Sequence, residues 1–350
     1  MVDEVMRLCQ GFNILSVQTR LVGKVTGPDA LGAKTSGLFE AEFFETSEAD
    51  VNGFRLRHAF VKLNWKRTEL LVGQFLHAMF ITESFPNVVS FNTGAPFQPF
   101  SRNPQIRLTQ ALGKLSLIAT AMTQRDFASI GPEGVSSIYL RNAVLPELNL
   151  KLQYASKDEP SGREVLFGAG ADYKRIAPRL VTNTGYKADE SLGSWAGMGY
   201  AKLRTPGLTL KAEGVYGQNL YNLTMLGGYA VSKVTDPAKN SLDYAGLNTL
   251  SLWAEAHTNG TKWQTGLFAG YSKNLGAGRT LIGPDFSRGF NIGYVYRIAP
   301  RLVFNEGKFR FASEVEWTAA GYGTPDAKGV VKDIKETGNL RLLLATYYFF

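Results

Sequence analysis

The sequence predicts an all-β protein, a transmembrane antiparallel up-and-down β-barrel, from three observations. Segments of roughly ten residues alternate apolar and polar side chains almost to the end of the chain. Tight turns and long polar connections alternate between those segments. The chain also finishes on LRLLLATYYFF, Leu340–Phe350, its most apolar and aromatic stretch.

That last stretch is too short for a membrane helix, which needs about 20 apolar residues. Thr346, Tyr347, Tyr348, Phe349 and Phe350 favour strands. At period two, Leu340, Leu342, Leu344, Thr346, Tyr348 and Phe350 share one face. Such a face must meet a core or lipid. In a bilayer every backbone N–H and C=O is bonded internally, so a sheet there closes on itself. A last strand that pairs instead of fraying, with its apolar face on lipid, removes the contradiction of a greasy terminus. The terminal Phe after alternating aromatics also resembles the signal of outer-membrane proteins read by the barrel-assembly machinery.

Composition is compatible with this. The 350 residues are 44% hydrophobic and 12% aromatic, with 37 Gly, and the mean hydropathy is −0.11. No window holds enough uncharged apolar residues for a membrane helix. A barrel alternates lipid-facing and lumen-facing residues, so its mean hydropathy is unremarkable. The lone Cys9 precludes an internal disulfide and a cysteine metal cluster. The net charge of +8 fits attraction for anions or a plain solubility charge. No basic run reaches five or six residues, which argues against nucleic acid as a partner. The opening MVDEVMRLCQGFNIL carries acids early and has no apolar h-region, so it is not a signal peptide.

In chain order the candidate strands are 12–24, 36–46, 54–65, 68–75, 105–112, 115–124, 137–145, 147–155, 164–175, 179–187, 194–204, 208–217, 247–257, 261–273, 288–298, 308–321 and 338–350. Leu148–Tyr154 is the cleanest, with Leu148, Leu150, Leu152 and Tyr154 on one face and Asn149, Lys151 and Gln153 on the other. Leu208–Tyr216 and Lys308–Trp317 behave alike, and their apolar faces reach Tyr216 and Trp317, as an interfacial aromatic girdle would. In FRLRHAFVKLNW the phase breaks near His58, which predicts a bulge. Tight turns are expected at Gly113–Lys114, Pro146–Glu147, Ala177–Arg179 and Pro206–Gly207. Long loops are expected at Arg125–Ser136, Ser156–Arg163, Asn274–Ser287 and Tyr322–Gly338. Short periplasmic turns opposite long extracellular loops are the outer-membrane pattern. Strand parity asks for one more strand before residue 12, so one N-terminal strand and a signal peptide are expected to be absent from this sequence. The count is then 16–18 strands in a single domain spanning 1–350.

The connection Leu76–Pro104 is the most unusual, with four prolines and with Phe80, Phe85, Phe91, Phe97 and Phe100. A loop this long is usually functional. Its rings are hidden if it folds inward and narrows the lumen; an outward lid or a subunit contact is the alternative. Arg102 stands on its return limb. A second long connection, Gln218–Gly246, holds a short hairpin near Gly228–Val234 and is either a lid or a subunit-contact loop. Strand phase points Arg20, Arg55, Arg57, Arg107, Arg141, Lys151, Lys211, Arg310 and Arg341 inward. It does the same for Glu40, Glu42, Glu213, Glu255, Glu314 and Glu316. A basic ladder opposite an acidic one gives a transverse field that guides anions, because the arginine fork suits carboxylate and phosphate. Alternatively these charges pair with one another.

The segments GLFEAEFFE (Gly37–Glu45), FRLRHAFVKLNW (Phe54–Trp65) and ELLVGQF (Glu69–Phe75) resemble the trimeric substrate-selective porins of the dicarboxylate-uptake (DcaP-like) and phosphate-selective types. The resemblance covers about 40 residues. It implies a 16-stranded homotrimeric porin of the bacterial outer membrane for small anions. Arg55, Arg57 and Gln74 match the shared segment, and no lysine cluster of the phosphate-selective kind is present. His58, His77 and His257 lack metal-ligand spacing, and no nucleophile elbow, phosphate loop or dinucleotide fingerprint occurs. The expectation is a non-enzymatic porin without cofactor or metal, passing small hydrophilic and weakly preferring anionic solutes. A closed structural or receptor-type barrel is the alternative, and an outer-membrane hydrolase using His77 a minor one.

Overall fold

The computed structural model describes residues 11–16, 19–44, 50 and 52–349. The strands in chain order begin with β1 Arg20–Thr26, β2 Lys34–Phe43, β3 Phe54–Asn64, β4 Thr68–Leu76, β5 Arg102–Leu112 and β6 Leu115–Met122. Then come β7 Ile130–Gly131, β8 Gly134–Val135, the one-turn helix α1 Ile138–Asn142, β9 Glu147–Asp158, β10 Arg163–Ile176, β11 Leu192–Arg204 and β12 Leu208–Gln218. After a 3-10 turn at Tyr221–Leu223 follow β13 Gly227–Asp236, β14 Ser241–Thr258, β15 Trp263–Ala277 and β16 Asp285–Arg288. The last three are β17 Ile292–Glu306, β18 Phe309–Pro325 and β19 Val331–Tyr348.

Fifteen of these strands form one meander, each antiparallel to the next. The β7–β8 hairpin, β13 and β16 lie outside it. Most connections on one rim are tight: 65–67, 113–114, 159–162, 205–207, 259–262 and 307–308. The other rim carries 77–101, 123–146, 177–191, 219–240 and 278–291. β1 and β19 run in the same direction, and among the described residues no ladder joins them. The further strand expected ahead of β1 concerns sequence outside those residues.

The wall inverts the soluble pattern. On β9, Leu148, Leu150 and Leu152 are 41%, 54% and 48% exposed, whereas Asn149, Lys151 and Gln153 are buried. The same inversion runs through β10, β12, β15, β17 and β18. Rings cluster towards both rims of the outer face. Tyr154–Phe167, Trp263–Phe304 and Phe309–Tyr348 lie towards the tight-turn rim, at 4.8, 4.5 and 4.9 Å between centroids. Trp195–Tyr216 and Tyr271–Tyr294 lie towards the other, at 5.4 and 6.2 Å. An apolar band between two aromatic girdles is the surface a bilayer requires.

The bulge falls where the phase breaks. Glu40 pairs with His58 and Ala41 with Leu56, leaving Arg57 as the extra residue. Arg57 and His58 are both buried as a result. Gln74 closes the bulge, its amide donating to the Leu56 and Arg57 carbonyls at 3.1 Å each. Its neighbour Gly73 has φ +134°, and a Cβ there would lie 2.2 Å from the Ala59 carbonyl oxygen, so only glycine fits.

Two expected strands are not wall strands. Residues 137–145 fold as α1 inside a long connection, because consecutive Tyr139 and Leu140 are both buried, which period two cannot do. Arg141, expected on an inner face, therefore sits exposed on α1. Residues 179–187 turn back on themselves through Thr182–Gly185 instead of extending. The tight turns expected at Pro146–Glu147 and Ala177–Arg179 are accordingly parts of long connections. Ser156–Arg163, expected as a long loop, is half strand, around a tight turn at 159–162. Tyr322–Gly338 is also mostly strand, since β18 and β19 extend past the girdle. Among the described residues the first strand begins at Arg20, and 11–16, which overlap the expected strand 12–24, hold none. The two losses cancel in direction, so the strands after them keep their expected sense.

Candidate functional site

Residues 77–101 fold into the barrel, as the inward reading of their phenylalanines expects. The segment leaves β4 and returns on β5, yet its backbone is bonded to strands across the interior. The Asn87 N–H donates to Glu255 on β14 at 3.0 Å. The Val89 and Ser90 N–H groups donate to Glu314 on β18 at 2.8 and 3.0 Å. Arg297 on β17 donates to the Ala95 carbonyl at 2.9 Å, and Lys211 on β12 to the Phe85 carbonyl at 2.8 Å. Arg341 on β19 reaches the Ser90 hydroxyl. A strandless segment carries unpaired backbone groups, and inward side chains of the wall satisfy them.

Its rings divide the interior. Phe97 is fully buried with Trp253, Phe268, Leu226, Val295 and Ala299. It seats on Gly270, where a Cβ would lie 2.4 Å from its ring. Met79 and Ile81 pack with Met198, Tyr200, Val215 and the inward residues Leu220, Leu223 and Met225. Thus part of the second long connection is also inside, while β13 pairs with the upper part of β14 as the hairpin expected near Gly228–Val234. Phe80 is buried against Phe85 and Phe100. By contrast Phe85 and Phe91 remain 36% and 39% exposed. The dry half lies towards β10–β17. The limb at Phe91 lies outside that half and meets Phe44 edge to face at 4.5 Å.

Most of the expected inner charges fall into three groups around this limb. The first gathers Arg20, Glu40, Glu42, Arg55, Arg57 and Arg102 with Asp126. Arg55 reaches Glu42 at 3.0 Å, Arg20 reaches Glu42 at 3.5 Å, and Arg57 binds both Glu40 and Glu42. Arg102 binds Asp126 at 2.7 Å and lies over the Phe100 ring at 4.9 Å. The second joins Lys211, His257 and Arg301 to Glu255. The third joins Arg297 and Arg341 to Glu316 at 3.4 and 3.1 Å, beside Glu314. Within each group acids and bases therefore face one another from different, mostly neighbouring strands, rather than forming a basic ladder on one side and an acidic one on the other.

Arg107 and Lys151 point inward but are committed to the loop. Arg107 donates to the Leu76 carbonyl at 2.8 Å and Lys151 to the Ala78 carbonyl at 3.4 Å. Asp126 escaped the sequence reading because it lies in a polar connection with no periodicity to place it. Arg297 and Arg301 escaped because PRL interrupts their alternation; the signal available was their shared parity with Val295 and Val303.

His77 is fully buried. Its Nε2 lies 3.2 Å from Glu147, with Asp172 close enough that the three offer ligand atoms within 4.8 Å of one another. The Met79 N–H donates to Nδ1 at 3.2 Å, which leaves Nε2 to face Glu147. Lys174 beside them donates to the Asn219 carbonyl at 2.7 Å. The cluster ties wall strands β9 and β10 to both inward loops.

No protein-family model and no curated protein matches the chain. Solved structures do. The outer membrane channel DcaP of Acinetobacter baumannii is 16% identical over 95% of this chain and 85% of that one, with a TM-score of 0.68. The chain has the fold of that outer-membrane channel. OmpT of Vibrio cholerae in its trimer form is 10% identical over 95% and 92% of the two chains, with a TM-score of 0.56. The anion-selective porin from Comamonas acidovorans is 11% identical over 95% and 90%, with a TM-score of 0.55. The resemblance seen in Gly37–Phe75 thus extends, as fold, along nearly the whole chain.

Proposed function

We propose that this protein is an outer-membrane porin through which small hydrophilic solutes diffuse passively, with a weak preference for anions. The observation that carries the reading is the inward loop. It is pinned by wall side chains bonded to its backbone, packed dry on one side, and exposed at Phe91 on the other. Four arginines, Arg20, Arg55, Arg57 and Arg102, face three carboxylates, Glu40, Glu42 and Asp126. The second group likewise sets Lys211 and Arg301 against Glu255. An excess of cation at a narrowing favours anions, and weak multi-site binding lets them leave again. The apolar outer face meets outer-membrane lipid. Assembly as a homotrimer, and insertion by the barrel-assembly machinery, accord with the fold shared with a trimeric protein.

Reversal potentials across planar bilayers in a salt gradient test this. The protein should give ohmic channels with modest anion selectivity, and Arg20→Glu combined with Arg55→Glu should turn the selectivity towards cations. An unchanged reversal potential would remove these arginines from the pathway. The dense packing of 77–101 and 219–226 favours a second reading, a barrel closed to solutes, and a folded protein that never conducts would establish it.

A further inference from the structure

We propose that Asp126 is a built-in stand-in for a permeating carboxylate: it occupies a two-guanidinium cradle formed by Arg55 and Arg102, and a solute carboxylate must compete with it. The proposal deepens the porin reading and rests on it. Asp126 does not belong to the wall. It is carried by the connection after β6, and each of its oxygens takes one arginine, Oδ2 from Arg102 at 2.7 Å and Oδ1 from Arg55 at 3.4 Å. Two forks on one carboxylate, one bond to each oxygen, is how a small acid would be held. Asp126 is 6% exposed, and Arg55 and Arg102 are 12% and 2% exposed, so water competes little for these bonds.

The cradle has capacity beyond its present occupant. Among the described residues, Nε of Arg55 and Nε of Arg102 are buried with no acceptor. Contacts to the wall and to the inward loop hold the arginines in place without Asp126. Arg55 is also bound to Glu42 at 3.0 Å, and Arg102 stacks on Phe100. The segment carrying Asp126 is fixed on the return limb of the constriction loop, which holds the carboxylate at the cradle: the Asp126 N–H donates to the Arg102 carbonyl at 3.3 Å, the Thr123 N–H to the Pro104 carbonyl at 2.9 Å and the Ser101 hydroxyl to the Phe127 carbonyl at 3.4 Å. Phe127 meets Phe100 at 5.9 Å, and Asn103 donates to the Thr123 carbonyl at 2.7 Å. Withdrawal of Asp126 leaves the four arginines of this group facing only Glu40 and Glu42. Asp126 therefore sets how strongly the narrowing holds a carboxylate, keeping binding weak enough for release.

The test compares the purified protein with Asp126→Asn and Asp126→Ser, using succinate and acetate as probes and glucose as the uncharged control. Succinate binding is read by titration calorimetry in detergent and, separately, by block of ion current in planar bilayers. Charge-assisted bonds are worth enough that either variant should bind succinate about tenfold more tightly, with glucose unaffected. Succinate affinity unchanged or weakened in both folded variants overturns the proposal. If both variants tighten binding in detergent while no preparation conducts, the porin reading fails and the cradle stands. If all conduct and none differs in binding, the cradle fails and the porin reading stands.

Discussion

Glu190 couples the roof of long connections to acidity. Burial alone would raise its pKa. The Arg179 guanidinium, the Leu242 N–H and the Tyr244 hydroxyl outweigh burial and hold it below the ordinary 4.5. A depressed folded-state pKa means its contribution is present above the unfolded value and is lost as pH falls through the folded one. The Leu242 amide donates to Glu190 at 2.7 Å, so its hydrogen-exchange protection reports the bond. Protection should hold from neutral pH down to about 4.5 and fall only below that. Glu190→Gln should lower protection at neutral pH. Protection already lost between about pH 7 and 5 would contradict the sign. Single residues were legible in the sequence wherever a strand fixed their phase. Arg55, Arg57, Glu40 and Glu42 all face inward as expected. Asp126 and Glu190 were not legible, since connections lack a period and tertiary contacts alone place them.

At the scale of elements, the constriction loop depends on complementarity between Phe97 and Gly270. Valine at Gly270 would overlap the Phe97 ring, because even a Cβ comes to 2.4 Å. Gly270→Val should push the loop towards the open side and lower single-channel conductance. Phe97→Ala should cost about 3–5 kcal/mol of unfolding free energy, a large core ring lost. Added to Phe97→Ala, Gly270→Val should cost little more, since the ring it would strike is gone. Additive losses in stability and conductance would show that the two do not touch. The loop was visible in the sequence through its length and its phenylalanines, and the bulge through the phase break near His58. The misread elements share one cause. Both 137–145 and 179–187 hold β-forming residues, but buried Tyr139 and Leu140 adjoin one another, and Asn183-Thr184-Gly185 supplies turn chemistry within the second. Propensity without alternation was not enough.

For the whole molecule, apolar residues outside and charged residues inside define a wall whose natural surroundings are lipid on one face and water on the other. The architecture was readable because a membrane barrel repeats one local rule along most of its length. What fills the barrel was not, because the dry contacts of Phe97, Met198 and Leu223 join segments far apart in sequence. The proposed porin function requires that solutes cross the interior beside the inward loop at Phe91. Single-channel recording of Phe91→Cys in a Cys9→Ser background, before and after a bulky thiol reagent, tests it most directly. Ohmic openings whose conductance drops on modification are expected, with no change in the Cys9→Ser parent. Openings that ignore the reagent despite complete labelling, or folded protein that leaves the bilayer sealed, would contradict it.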